Sequence, residues 1–247
     1  MVGTPVATST LAAAAAEHPF ESLSLGSMPP EDFATEFRFP LDLIKVSAEP
    51  LIAPDEVRRA VRIADEEGAY VGDYVSGKYR LGGGWVKEYP RTLAWFNEQL
   101  EHRLFPALAA LFPEIVRDAG VLRAHSVAML KYNSSHPRTD VHTDNGILAM
   151  TLALSERADY VGGGTFYEHL GGDGIVEMDA GHVTLRPGSV RHGGHKVKKG
   201  ERYILGAFLL IADRVEHVRR LNLQGSAARE RGDAAGAARI FEWATKA

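Results

Sequence analysis

The sequence predicts a mainly β fold with flanking α-helices: a jelly-roll core backed by N-terminal helices and followed by a C-terminal helix pair. Three observations lead there. Apolar residues recur at helical spacing in two stretches, from Pro54 to Gly68 and from Thr92 to Leu111, then alternate with period two from residue 121. The β-like runs are short and separated by Gly, Pro, Asp and Asn at roughly ten-residue spacing, the pattern of a sandwich or barrel. After Asp213 an Ala-rich helical pattern returns.

Taken in order, residues 1–40 mix Ser, Pro and Gly without periodicity and are expected to be loosely ordered. Ile44, Val46 and Ala48 alternate with Lys45 and Ser47 as a short strand would. Pro54, Asp55 and Glu56 open a helix, with acids at its positive end. Val57, Ala60, Val61 and Ala64 form its apolar stripe, and Gly68 stops it. Residues 69–90 mix glycine with Tyr70, Tyr74, Tyr79 and Trp85 and show no period. That stretch reads as a long loop, either a substrate-facing lid or an aromatic-rich surface loop. A second helix runs from Thr92, with Leu93, Phe96, Leu100 and Leu104 on one face, and Pro106 breaks or restarts it before Leu108. The β-like runs are 121–131, 147–154, 164–167, 182–185, 189–197 and 201–211. Residues 227–231 and 234–246, joined at Gly232 and Asp233, read as two helices anchored by Phe241 and Trp243. One such pair cannot stack alone, so it is expected to pack on the β core. The chain divides into a 1–40 segment, a 41–212 domain whose jelly-roll core is 121–212, and a 213–247 helical extension.

With 247 residues, 45% of them apolar, the core needs no covalent staples. The absence of Cys removes thiolate nucleophiles, zinc fingers and iron–sulfur clusters from consideration. A net charge of −4 offers no electrostatic case for nucleic acid or an anionic membrane. No apolar run approaches a membrane span. Residues 1–17 lack the Lys and Arg that a secretory signal or presequence carries, and read as a frayed tail. A cytoplasmic location is the expectation.

The chemistry is carried by His142 and Asp144, by His192 some fifty residues later, and by Arg202 ten residues beyond that. His142 and Asp144, two apart on an extended segment, project to one side and can reach one ion. An imidazole arriving from a distant strand completes two nitrogens and one carboxylate on one face of an octahedron. The open positions opposite suit non-haem Fe(II). A lone His-x-Asp pair arises by chance; the order and spacing of the whole set carry the reading.

The sequence here resembles the Fe(II)/2-oxoglutarate oxygenases, in particular their prolyl 4-hydroxylase and lysyl hydroxylase branch. The stretch from His142-Thr143-Asp144 to Ser155 is similar to the first metal-binding strand of that family. The glycines Gly162, Gly163 and Gly164 resemble its glycine-rich turn. Leu185-Arg186-Pro187-Gly188, followed by His192 and by Gly200-Glu201-Arg202-Tyr203, resembles its closing motif. There the metal histidine stands ten residues before the basic residue that binds the cosubstrate. The resemblance covers residues 121–211 well and the helices from residue 50 more loosely. It implies a double-stranded β-helix, Fe(II), 2-oxoglutarate as cosubstrate and ascorbate as a reductant.

It also implies roles. His142, Asp144 and His192 would hold the metal, and Arg202 would grip the distal carboxylate, for which a planar guanidinium fork is suited. An exposed strand arginine is the plain alternative, and the fixed interval from His192 favours the role. His195 competes for the third ligand position. Within one strand its odd separation from His192 would point it to the opposite face, and the motif selects His192. Tyr132, ten residues before His142, is placed as a cosubstrate contact, with a barrel-lining aromatic as the plain alternative. Ala149 stands where many relatives carry a supporting Thr, and Thr151, two residues on and on the same face, would substitute. The other seven histidines have no ligand-like spacing. The implied reaction consumes O₂, converts 2-oxoglutarate to succinate and CO₂, and hydroxylates an unactivated C–H, with an amino-acid side chain, peptidyl or free, as the target. A free amino acid or other small metabolite is the alternative substrate. A halogenase would leave the carboxylate position to halide, and Asp144 fills it. A non-catalytic jelly-roll binder would show decay at the metal and cosubstrate positions, and none is visible. The C-terminal helices keep a scaffold role open.

Overall fold

The computed structural model describes residues 19–24, 43–113, 115–116, 118–212, 222–223 and 225–246. Strands β1 (Phe20–Leu23) and β2 (Ile44–Ser47) are followed by α1 (Pro54–Glu66), β3 (Asp73–Ser76), β4 (Tyr79–Trp85), α2 (Pro90–Gln99) and α3 (Phe105–Leu111). Next come β5 (Leu122–Tyr132), β6 (Leu148–Ala153), β7 (Tyr160–Gly162), β8 (Thr165–Tyr167) and β9 (Ile175–Val176). The chain continues through β10 (Val183–Pro187), β11 (His192–Gly194), β12 (Val197–Gly200), β13 (Arg202–Ile211) and α4 (Ala234–Lys246). Among the described residues the large sheet runs β1-β2-β10-β6-β13-β5-β4-β3, beside a smaller β11-β8-β9 sheet and a β12-β7 pair. This is a jelly roll in layers, with edges at β1 and β3, not a closed barrel.

The period-two pattern gives the large sheet two different faces. Met129 of β5, Val183 and Leu185 of β10, and Leu205, Ala207 and Leu209 of β13 share one apolar core with Val57 of α1, Phe96 of α2 and Leu108 of α3. The alternate positions, Ala128, Leu130 and Tyr132 of β5 and Arg202, Ile204 and Phe208 of β13, line a cavity on the opposite side. Phe96 is fully buried in the helix-side core, worth roughly 1.5–3 kcal/mol relative to exposure.

Helix α2 begins at Pro90, and its first N–H groups are satisfied from outside. The Glu67 carboxylate accepts from the Arg91 N–H at 2.8 Å, the Thr92 N–H at 2.9 Å and the Thr92 hydroxyl at 2.7 Å. Between α2 and α3, residues Leu100–Leu104 widen into a π-helical turn. Pro106 lies in the first turn of α3. It lacks the N–H for an ordinary helical bond, and its ring would strike the carbonyl four residues back, so the chain restarts the helix there.

Residues 69–90 are not a loop. Tyr70 is buried, and β3 and β4 form a hairpin whose second strand joins the large sheet, from Gly82 opposite Lys131 to Trp85 opposite Ala128. The glycines permit close approach: a Cβ at Gly83 would lie 2.5 Å from the Met129 carbonyl oxygen. The aperiodic composition reflects tight strand packing, which sequence periodicity does not register.

The 189–197 run likewise divides. β11 pairs with β8 while β12 pairs with β7, so one expected strand serves two sheets. Within the 1–40 segment, Phe20–Leu23 is a strand paired to β2; the rest of that segment's expectation falls outside the described residues, apart from 19 and 24. At the other end residues 225–230 are helical, Gly232 turns the chain with φ 81°, and α4 follows. Phe241 lies against Gly225. The anchoring expected of the Trp243 side chain, and residues 213–221, lie outside the described residues.

Candidate metal centre

His142 and His192 are joined by a two-bond antiparallel bridge. The His142 N–H donates to the His192 carbonyl at 2.8 Å, and the His192 N–H donates back at 2.9 Å. The Asp144 N–H donates to the Gly188 carbonyl at 2.8 Å, which carries its carboxylate to the same side two residues on. The backbone thus brings three distant side chains together. Their possible ligand atoms all lie within 4.8 Å of one another.

Each imidazole is oriented by a carbonyl. His142 Nδ1 donates to the Asp140 carbonyl at 2.7 Å and His192 Nδ1 to the Val190 carbonyl at 2.9 Å. That assignment leaves both Nε2 lone pairs facing Asp144, at 3.5 Å from Oδ1 and Oδ2 respectively. Burial works to raise the Asp144 pKa, but His192, Arg186 and His142 outweigh it and hold the carboxyl at about 2. Burial, then Arg186, lowers His192 to about 3. Burial also pulls His142 down, yet its protonated ring donates to the Asp144 carboxylate and the Asp140 carbonyl, which leaves the pKa raised. An ionised carboxylate and imidazole nitrogens at this spacing fit a divalent transition ion.

Arg186, which the sequence places only within the closing motif and without a role, is one of the most buried side chains here. Its Nη2 donates to Asp144 Oδ2 at 2.8 Å and to His192 Nε2 at 2.6 Å, and its Nη1 donates to Thr151 Oγ1 at 3.1 Å. Its guanidinium carbon lies 5.8 Å from the centre of the Tyr167 ring. A signal was present: Val183 and Leu185 alternate with Thr184 and Arg186, so an arginine falls on the face opposite the apolar residues of β10.

Arg202 sits opposite Tyr132 across β13 and β5. Its Nη2 donates to Thr165 Oγ1 at 3.2 Å, while Nη1 is buried with no hydrogen-bond partner in the structure. A buried guanidinium N–H in that condition has room for a further acceptor from the cavity. Burial pushes the Tyr132 phenol up to about 12, so it stays a neutral donor. Gly194 leaves space beside it, since a Cβ there would fall 2.6 Å from the ring. Thr151 lines the same cavity, but its hydroxyl is taken by Arg186; the hydroxyl beside Arg202 belongs to Thr165. His195 lies past the end of β11, half-buried, with Nδ1 at 3.0 Å from the Gly163 carbonyl, and is outside the metal-binding group. Tyr74 and Trp85 of the hairpin wall the cavity, their ring centres 5.5 Å apart.

No family model matches the chain. It is 28% identical over 85 residues to a PKHD-type hydroxylase of Prochlorococcus marinus, covering 34% of this chain and 38% of that protein. It is 28% identical over 123 residues to a PKHD-type hydroxylase of Pseudomonas putida, covering 50% and 51% respectively. The chain therefore spans about half, or less, of the curated relatives it matches. In fold it is similar to a viral collagen prolyl hydroxylase from Paramecium bursaria Chlorella virus-1 solved with 2-oxoglutarate, at TM-score 0.51 and 12% identity over 68% of this chain and 95% of that one. It is also similar to a 2OG-Fe(II) oxygenase family oxidoreductase from Burkholderia pseudomallei, at TM-score 0.52 and 11% identity over 85% and 93%. A non-haem α-ketoglutarate-dependent carbocyclase of nogalamycin biosynthesis shares the fold at TM-score 0.52 and 15% identity over 76% and 86%.

Proposed function

We propose, for a chain that belongs by fold and sequence likeness with the Fe(II)/2-oxoglutarate oxygenases, that it hydroxylates an unactivated C–H bond at the expense of O₂ and 2-oxoglutarate. One observation carries the reading: the cavity that holds His142, Asp144 and His192 also holds a buried guanidinium nitrogen of Arg202 with no partner.

His142, Asp144 and His192 would hold Fe(II), and Arg202 would pair with the distal carboxylate of 2-oxoglutarate. Bound there, the iron and cosubstrate supply the oxidation, coupling O₂ consumption to release of succinate and CO₂. The chain's own contribution is positional. Tyr132, neutral and beside Arg202, donates a hydrogen bond toward the cosubstrate end of the cavity. Thr165 steadies the Arg202 fork. Leu130, Ile204 and Phe208 exclude water from the reacting end, and Tyr74 and Trp85 form the wall against which a substrate rests. For the substrate we propose an amino-acid side chain, in keeping with the PKHD-type hydroxylases to which the matched segments are similar and the collagen prolyl hydroxylase that shares the fold. Ascorbate would act as a reductant for the iron.

The test is to load the protein anaerobically with Fe(II), add 2-oxoglutarate and prolyl or lysyl peptides or the free amino acids, admit O₂ and measure succinate. We expect O₂-dependent succinate that rises with the true substrate and is lost in His142→Ala. If the folded protein neither binds 2-oxoglutarate nor releases succinate, the proposal is wrong.

A further inference from the structure

Arg186 occupies the Nε2 of His192 and one of the two carboxylate oxygens of Asp144. His192 Nδ1 gives its proton to the Val190 carbonyl, so Nε2 holds the ring's one available lone pair, and Arg186 Nη2 stands 2.6 Å from it and 2.8 Å from Asp144 Oδ2. A lone pair cannot accept a guanidinium N–H and ligate a metal at once. Nor is Arg186 a loose surface group: its side chain is 1% exposed and Thr151 holds the other arm of the fork. A divalent ion would also meet the like charge of a guanidinium that is buried from solvent.

The charges in the cavity point to what could resolve this. Its described lining includes two guanidinium groups, Arg186 and Arg202, and one carboxylate, Asp144. A metal that takes Asp144 draws on the one carboxylate Arg186 has, while Arg202 has none in the described lining. Each already carries a buried nitrogen with no partner, Nε of Arg186 and Nη1 of Arg202.

We infer that Arg186 competes with the divalent metal for Asp144 and His192, and that a carboxylate entering the cavity relieves the competition by taking the guanidinium. The inference rests on the metal site proposed above. It makes Arg186 a positioning residue, holding the triad in register and yielding it when metal and carboxylate arrive together. A supporting arginine that merely oriented Asp144 would act in the opposite sense, because its removal would weaken metal binding.

The experiment measures Mn(II) binding to the full chain by the electron paramagnetic resonance signal of free Mn(II), with and without 2-oxoglutarate. Wild type, Arg186→Met, Arg186→Gln and His142→Ala are compared, with folding followed by circular dichroism. Without 2-oxoglutarate, the Met and Gln variants should bind Mn(II) about tenfold or more tightly than wild type. Adding 2-oxoglutarate should tighten Mn(II) binding by a larger factor in wild type than in either variant, since only wild type has a guanidinium to release. Equal or weaker Mn(II) binding by a folded Arg186 variant overturns the competition. An equal 2-oxoglutarate effect in wild type and variants overturns the carboxylate's part. Folded wild type that binds no Mn(II), or His142→Ala that binds it as wild type does, overturns the metal site and this inference with it. If both Arg186 variants unfold, the same wild-type titration decides: Mn(II) binding that 2-oxoglutarate does not tighten overturns the inference.

Discussion

Arg202 and Tyr132 face each other across β13 and β5, with the guanidinium carbon 5.3 Å from the centre of the tyrosine ring. The contact sets the guanidinium against an aromatic wall, and Nη1 is buried without a hydrogen-bond partner. Arg202→Ala should therefore weaken 2-oxoglutarate binding to the Mn(II)-loaded protein by on the order of 2–5 kcal/mol. Arg202→Lys should recover part of that loss, because a point charge replaces a planar fork. Calorimetric titration checks both, and unchanged affinity in Arg202→Ala would remove the role.

The two neighbouring histidines should separate cleanly. His192 is buried, bridged to His142 and within the ligand group, whereas His195 lies past the strand end against the Gly163 carbonyl. Equilibrium dialysis with Co(II) should find one ion per chain in wild type and in His195→Ala, and none in His192→Ala or Asp144→Ala. The reverse ranking of the histidines would displace the whole ligand assignment.

The hairpin of β3 and β4 offers a way to separate substrate contact from fold. Tyr74→Ala and Trp85→Ala trim the cavity wall while keeping the backbone groups that pair β4 with β5. Both should slow turnover of the true substrate more than substrate-free conversion of 2-oxoglutarate to succinate. Gly83→Ala should instead lower stability by about 1–3 kcal/mol, since its Cβ has no room against Met129. Equal loss of both activities in folded Tyr74→Ala would mean that the wall supports the site as a whole.

Glu67 gives a prediction about pH that does not involve the cavity. Burial works to raise its pKa, but hydrogen bonds from Arg91 and Thr92 outweigh that, so it is lowered from 4.5. A carboxylate with a depressed folded pKa stabilises fully above its unfolded value and loses that contribution as pH falls through the folded one. Glu67→Ala should cost about 0.5–2 kcal/mol at neutral pH, as loss of a helix cap does. The gap in urea unfolding between wild type and variant should close well below pH 4.5. A gap that stayed constant in acid would assign the effect to packing, not charge.

Local spacing made much of this protein legible. An extended segment turns alternate side chains to one side, so His142 and Asp144 could be paired from their separation alone, and the period-two runs located β5, β6, β10 and β13 within one or two residues. The apolar stripe of α1 and its stop at Gly68 followed from helical geometry in the same way. Such rules reach as far as a side chain's own strand or helix. Which strands become neighbours depends on long-range pairing, and there the sequence was silent. The 82–84 glycines looked like a loop because close backbone approach leaves no apolar period to read. Arg186 stood in the closing motif without a role because Asp144 and Thr151 lie 42 and 35 residues away. The β10–β6 ladder and the Asp144–Gly188 hydrogen bond decide that an arginine, and not a neutral side chain, lies against the candidate metal ligands.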